Sequence, residues 1–123
     1  MFSQSADTWL RIEEEGDVTV AKFVTQAIMD ERVIRTIGQA LYREVEQLGH
    51  DQLVLDFSDV RHFSSALLAV LIELNKRIKA TKGRLVLCGL RPELQEVFVV
   101  TKLNGTLKIV ADMYEAMRLF PGL

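Results

Sequence analysis

The chain has 123 residues, of which 49% are hydrophobic and 26% are charged, so it is long enough for one globular domain and is not disordered. Its net charge is −2, from 15 basic and 17 acidic residues, and without a basic excess we expect no nucleic-acid partner. Cys88 is the only cysteine, which excludes an internal disulfide and favours a reducing, cytoplasmic location.

The domain organisation is simple. We predict a single domain over residues 1–123, with residues 1–8 as a flexible, polar segment that lacks the apolar core of a signal peptide. The longest apolar-rich stretch, Ala66 to Leu74, is interrupted by Glu73 and is too short to cross a bilayer. We therefore expect no membrane insertion.

The first predicted elements are two strands and a helix. Trp9 to Glu13 and Val18 to Phe23 flank Gly16-Asp17, a combination typical of a β-hairpin. Asp30 is a suitable N-cap for the helix that follows, and Gly49 stands where that helix would end. Between them, apolar residues recur every three to four positions: Val33, Ile37, Leu41, Val45 and Leu48.

A buried strand and a second helix are predicted next. Leu53 to Phe57 is apolar at successive positions, as expected for a strand that is covered on both faces. After a polar turn, a helix is predicted from Ser65 to a stop at Lys82-Gly83. Its apolar stripe contains Leu67, Leu71, Leu74 and Ile78.

In the last third of the chain, strands and helices continue to alternate. Arg84 to Cys88 predicts a strand, Pro92 opens a helix at a position where proline is favoured, and Leu107 to Ile109 predicts a short strand. Asp112 and Glu115 form a capping box for a final helix. Strands that alternate with helices indicate an α/β fold, with a mixed central sheet packed against about four helices.

Two serines at the start of the second helix are the most informative feature. A hydroxyl at this position can cap the helix, and the free N–H groups and the helix dipole also favour a phosphate there. We interpret Ser64 as the structural cap. Ser65 is then either a second cap or the site of a regulatory phosphorylation, and Ser64 is the alternative acceptor.

A catalytic interpretation can also be constructed at this position. His62 would activate Ser65 and Asp56 would orient the imidazole, as in a serine hydrolase. The Gly-x-Ser-x-Gly turn of such enzymes is missing, and no oxyanion site is evident. We therefore favour a protein that is not an enzyme.

Metal and cofactor chemistry find no support in the sequence. His50, His62 and Cys88 lack the spacing of metal ligands. Asp56 and Asp59 would suit aspartyl phosphorylation only with further acids after an earlier strand, and these are missing. No glycine-rich phosphate loop follows any strand, so we expect neither a metal nor a cofactor.

The segment Leu53 to Leu71 resembles the signature of STAS domains, the fold of anti-sigma factor antagonists. In that family an apolar strand is followed by Asp/Asn-Leu-Ser/Glu-x-Val and then by Asp-Ser-Ser/Thr-Gly-Leu-Gly at the start of a helix. Here the residues are Asp56-Phe57-Ser58-Asp59-Val60 and Ser64-Ser65-Ala66-Leu67-Leu68-Ala69. Gly83 to Glu93 resembles a downstream family pattern, and the likeness extends from Trp9 to Phe120.

The resemblance implies a partner-switching function. Ser65 matches the serine that a cognate serine kinase of the histidine-kinase-like ATPase fold phosphorylates, and a serine phosphatase reverses the modification. The unphosphorylated antagonist binds that kinase, which is an anti-sigma factor, and so regulates transcription. Asp30 lies near a family acid that helps to dock the kinase. The implied partner surface comprises Asp30, Ser64, Ser65, Ala66 and Leu67.

Two departures from the family pattern leave a second function open. The family Asp is Ser64 here, which removes a polar contact, and the family Gly is Leu67, which we expect to crowd the kinase. The alternative is a STAS subunit that is never phosphorylated, within a stress-signalling or lipid-transport complex. Free sheet edges also permit a homodimer.

Overall fold

The computed structural model describes residues 6–121, which form seven strands and four α-helices. The strands are β1 (Leu10–Glu15), β2 (Val18–Phe23), β3 (Ala27–Ile28), β4 (Gln52–Asp56), β5 (His62–Phe63), β6 (Arg84–Cys88) and β7 (Lys108–Val110). The helices are α1 (Glu31–Glu46), α2 (Ser65–Ala80), α3 (Pro92–Val100) and α4 (Met113–Arg118). Short 3-10 helices lie at Ala6–Thr8 and Leu103–Gly105.

The central sheet is mixed, as the alternation of elements predicts. Its strand order is β1-β2-β4-β6-β7. In this sheet β1 is antiparallel to β2, and β2, β4, β6 and β7 run parallel to one another. The carboxyl ends of these four strands therefore meet at one edge of the sheet, where α1 and α2 begin.

Both faces of the sheet are covered, which explains the uninterrupted apolar run in β4. Leu53 and Leu55 belong to the larger core, together with residues of α1, α2 and α3. Val54 points into the smaller core and packs there with Ala116 and Phe120 from the end of the chain. The predicted strand covered on two faces is confirmed.

A second, two-stranded sheet was not expected from the sequence. β3 and β5 pair in parallel, with Ile28 opposite Phe63. The backbone N–H of Ser64 extends this pairing by donating to the carbonyl of Ile28 at 3.0 Å. Each strand has only two residues, too few to show a period of two in the sequence.

Phe63 anchors this small sheet to the main core. Its ring lies 6.4 Å from the ring of Phe57 and 5.9 Å from that of Phe98, measured between centroids. Phe57 in turn packs 4.7 Å from Phe23. The aromatic cluster therefore holds the residues immediately before Ser64 and Ser65 in place.

Arg77 joins α1 and α2 near their C-terminal ends. Its guanidinium lies 3.9 Å from the centroid of the Tyr42 ring and pairs with Glu46 of α1 at 2.8 Å and with Glu73 of α2 at 2.9 Å. The hydrogen bond from Arg77 lowers the pKa of Glu73. This Arg77 clamp joins three groups from two helices, so it is more than an isolated surface ion pair.

The structure differs from the predictions at the ends of several elements. Residues 1–5 of the segment expected to be flexible lie outside the described residues, whereas Ala6–Thr8 form a 3-10 helix and Ala6 packs against the larger core. Helix α1 ends at Glu46, with Gln47 as its C-cap, so Gly49 is not the cap. The backbone N–H of Glu115 donates to the Asp112 carboxylate, as in the predicted capping box. The Glu115 carboxylate, however, accepts from the backbone N–H of Ala111, whereas a capping box requires the N–H of Asp112.

Gly89 permits a close approach between the loops that follow β4 and β6. It has a φ of +76°, and a Cβ placed on it would lie 3.0 Å from Asp56 Oδ1 and 3.0 Å from the backbone nitrogen of Ser58. We predict that Gly89→Ala lowers the free energy of unfolding by about 1–3 kcal/mol, because strain and crowding add. Urea denaturation measures this change.

Gly105→Ala is the matched control for this substitution. A Cβ at Gly105 would have nothing within 4 Å, and its φ lies outside the left-handed region. We expect a change within about 0.5 kcal/mol there. Equal losses at the two glycines would contradict the close-approach explanation.

Candidate functional site

The starts of α1 and α2 lie side by side at the carboxyl edge of the sheet. Because Ile28 pairs with Phe63, the residues after each, Met29-Asp30 and Ser64-Ser65, emerge next to each other. Asp30 is the N-cap of α1, as predicted, and its carboxylate accepts from the backbone N–H of Arg32 at 2.7 Å. The structure therefore brings together the acid and the two serines that the sequence singled out.

Ser64 does not act as a side-chain cap, which corrects the prediction. It occupies the N-cap position of α2 with extended backbone angles, but its hydroxyl makes no capping hydrogen bond. The Ser64 Oγ is buried and, within residues 6–121, has no hydrogen-bond partner. Residue type alone suggests a cap, since serine is favoured there, but the rotamer directs this hydroxyl inward.

Ser65 is the exposed member of the pair. It is the first residue of α2 and is open to solvent. In the described part of the chain, the backbone N–H groups of Ser65 and Ala66 have no acceptor, whereas that of Leu67 donates to the Ser64 carbonyl at 3.1 Å. An exposed hydroxyl therefore lies beside two unused donors at the positive end of a helix.

Leu67 must be removed from the predicted partner surface. Its side chain is 0% exposed and belongs to the larger core, so it cannot touch a visiting protein. The expectation that this leucine crowds a kinase is therefore wrong: the side chain follows the apolar stripe of α2 inward. Ala66 is half-buried at the edge of the same core.

Two exposed apolar side chains extend the site, and neither was predicted from the sequence. Met29, immediately before Asp30, is 53% exposed, and Ile72 is 37% exposed. Ile72 follows Ser65 by seven residues and therefore shares its face of α2. The sequence does indicate that Ile72 is exposed, because this residue lies outside the apolar stripe by which α2 packs on the core. That stripe contains Leu67, Leu71, Leu74 and Ile78. Ala69, one turn after Ser65 in α2, is also exposed. We call the set of Met29, Asp30, Ser65, Ala69 and Ile72 the switch face.

The proposed catalytic constellation is not assembled. Asp56 Oδ1 accepts from the backbone N–H of Ser58 at 2.9 Å, and no hydrogen bond in residues 6–121 joins His62 to Asp56 or Ser65. His62 is exposed in β5. Cys88 is buried, and desolvation first, then Asp56 and Asp112, raises the pKa of its thiol to about 12, so it is a poor nucleophile.

Comparison with known proteins identifies the fold family. The STAS domain family matches residues 5–116 of the chain. The chain belongs to the STAS domain family. A protein of Bordetella bronchiseptica, provisionally named anti-sigma factor antagonist BtrV, is 39% identical over 70 residues, which cover 55% of this chain and 58% of that protein. The chain thus matches less than two thirds of this relative's length.

Solved STAS structures have the same architecture. A protein of Thermotoga maritima, provisionally described as an anti-sigma factor antagonist, has a TM-score of 0.78 at 21% identity, with 92% of this chain and 95% of the other covered. The phosphorylated form of the Bacillus cell fate determinant SpoIIAA has a TM-score of 0.69 at 14% identity, with coverages of 90% and 99%. At these identities the likeness shows the fold.

The described residues contain neither a membrane-spanning helix nor a metal-binding cluster. Over positions 6–121, no helix is long and apolar enough to cross a bilayer. The same residues include no group of three histidine, cysteine or acidic side chains placed to hold a metal ion.

The buried Ser64 hydroxyl has a measurable consequence for stability. We predict that Ser64→Ala leaves the free energy of unfolding unchanged or raises it by up to about 1 kcal/mol, because it removes an unpartnered buried hydroxyl and no capping bond. Chemical denaturation tests this. The matched control, Asp112→Ala, removes a cap whose carboxylate does accept a hydrogen bond, at 2.9 Å, and should lose about 1 kcal/mol. A loss of similar size at Ser64 would show that its hydroxyl caps the helix in solution.

Proposed function

We propose that this STAS protein is an anti-sigma factor antagonist that works by partner switching and does not catalyse a reaction. In this proposal it binds an anti-sigma factor serine kinase of the histidine-kinase-like ATPase fold through the switch face. Phosphorylation of Ser65 releases the kinase, and a serine phosphatase restores binding. The observation that carries the proposal is the contrast between the two serines: Ser65 is exposed and Ser64 Oγ is buried.

The chemistry of the switch face supports a protein partner. Met29 and Ile72 supply exposed apolar surface, and Asp30 adds an exposed carboxylate. Interfaces commonly combine such an apolar centre with polar neighbours. The STAS fold, and the names of the similar proteins from Bordetella and Thermotoga as anti-sigma factor antagonists, point to an anti-sigma factor as the partner. A partner of this kind is cytoplasmic, and we place the protein there.

Phosphorylation at Ser65 would change binding without changing the fold. A phosphate adds about −1.5 to −2 charges near neutral pH, and the backbone N–H groups of Ser65 and Ala66, which have no acceptor within residues 6–121, can donate hydrogen bonds to it. The helix dipole stabilises a negative group at this position by about 0.3–1 kcal/mol. A partner that buries Met29 and Ile72 would have to desolvate the new charge, which is costly. The modification therefore selects against the complex and leaves α2 intact.

Phosphorylation is tested directly by incubating the protein with a cognate anti-sigma factor kinase and ATP. We expect a single added phosphate by intact mass, located at Ser65 by peptide mapping. Ser65→Ala should abolish the added mass, whereas Ser64→Ala should retain it, because its hydroxyl is buried. Phosphate found on Ser64 would contradict the assignment of the acceptor.

The absence of any added phosphate would favour the alternative function, a STAS subunit of a larger complex. A further arm uses a fluorophosphonate probe, which reacts with the activated serine of a hydrolase. Labelling of Ser65 by this probe would contradict the proposal that the protein is not an enzyme, and we expect none.

The apolar part of the switch face gives a separate prediction. Ile72→Glu should weaken binding to the kinase by tenfold or more, since it places a charge in a surface that the complex buries. Titration calorimetry measures the affinity, and urea denaturation shows whether the variant is folded. Ser65→Asp should weaken binding in the same titration.

Leu48→Glu is the control, because Leu48 is 44% exposed but follows the opposite end of α1. The affinity of this variant for the kinase should match that of the unaltered protein. If Ile72→Glu binds as tightly as Leu48→Glu, the partner uses another surface.

A further inference from the structure

A basic cavity lies at the other edge of the sheet, away from Ser65. It has a volume of about 290 Å³. It is bounded by the C-terminal half of α2, the first residues of β6, the start of β7 and Leu119, the C-cap of α4. We call it the basal cavity. Its lining residues include Asn75, Lys79, Arg84, Leu85, Thr106 and Lys108.

Three cations surround the basal cavity without a paired acid. Lys79, Arg84 and Lys108 line it, and no acidic side chain is among the described residues that do. None of the three forms a salt bridge within residues 6–121. Asp51 packs against Gly83 but does not itself line the cavity. Like charges brought together in a concave site favour the binding of an anion.

Asn75 is a second and independent sign of a ligand. It interrupts the buried side of α2 between Leu74 and Ile78, yet it is only 6% exposed. Its Nδ2 donates to the Thr106 carbonyl at 3.5 Å, a long hydrogen bond, and this is its single side-chain bond within the described chain. Asn75 lines the cavity, and within residues 6–121 its second amide hydrogen has no protein acceptor. Buried amides normally satisfy such groups.

Arg84 is held in position to contribute. One terminal nitrogen of its guanidinium donates to the carbonyl of Leu119, the C-cap of α4. The remaining N–H groups of this planar side chain are free of protein acceptors within residues 6–121. A guanidinium that is already oriented loses less entropy when it binds an anion than a free lysine does.

We propose that the basal cavity binds a small polyanion, a molecule that carries two or more phosphate or carboxylate groups. Lys79, Arg84 and Lys108 would balance its charge, and the Asn75 amide would donate a hydrogen bond from the floor of the site. The cavity has the volume of about ten water molecules, which suits a ligand of about ten non-hydrogen atoms. Leu85 supplies an apolar wall, so the ligand need not be charged over its whole surface.

The test is a titration of the ¹⁵N-labelled protein with pyrophosphate in one arm and citrate in another, each against sodium chloride at matched ionic strength. We expect saturable shifts of the Asn75 side-chain amide and of the Leu85 and Thr106 backbone amides. Saturation with pyrophosphate alone identifies a phosphate ligand, and saturation with citrate alone identifies a carboxylate; either outcome supports the site.

Matched variants separate a site from general charge attraction. Lys108→Gln should weaken binding about tenfold, the usual effect of losing one charged hydrogen bond. Lys76→Gln removes the same charge from an exposed position of α2 outside the cavity and should have no effect. Equal losses in the two variants, shifts that never saturate, or shifts confined to the switch face would overturn the proposal. So would a response to hexaglutamate alone, since that would indicate docking of an acidic protein segment.

Discussion

The pairing of β3 with β5 is the constraint on which the switch face depends. Two short strands and one added hydrogen bond, from Ser64 to the Ile28 carbonyl, bring the start of α2 beside the start of α1. Phe63 ties this pairing to the aromatic cluster of the core. The pairing fixes the end of the loop after β4 and so sets which residues lie beside Ser65. The position of a single surface hydroxyl is thus set by buried main-chain and aromatic contacts.

The parallel sheet separates two kinds of chemistry along α2. At the carboxyl edge lies the switch face, which is partly apolar and contains the exposed serine. At the opposite edge lies the basal cavity, which is cationic and contains the buried amide of Asn75. Along the axis of α2, Ser65 of the switch face and Lys79 of the basal cavity are about 21 Å apart. One helix therefore contributes residues both to the switch face and to the lining of the basal cavity.

Much of the fold follows from the sequence, because burial leaves a periodic pattern. The limits of β2, α2 and β6 could be predicted, since apolar stripes and punctuating residues coincide there. The direction of the Ser64 hydroxyl could not be predicted. A serine at the start of a helix suggests a capping hydrogen bond whether or not its side chain is oriented to make that bond. Leu67 belongs both to the apolar stripe of α2 and to the family motif, so the sequence allows it to be buried or to face a partner. Only the packing of the folded chain shows that it is buried. The basal cavity depends on Lys79, Arg84 and Lys108, which are separated in the chain and meet only after folding.

The Arg77 clamp has a consequence for how such proteins diversify. It braces α1 against α2 through Tyr42, Glu46 and Glu73, in the C-terminal halves of the two helices. Side chains at the opposite tips of the two helices can therefore be exchanged during evolution at little cost to the scaffold.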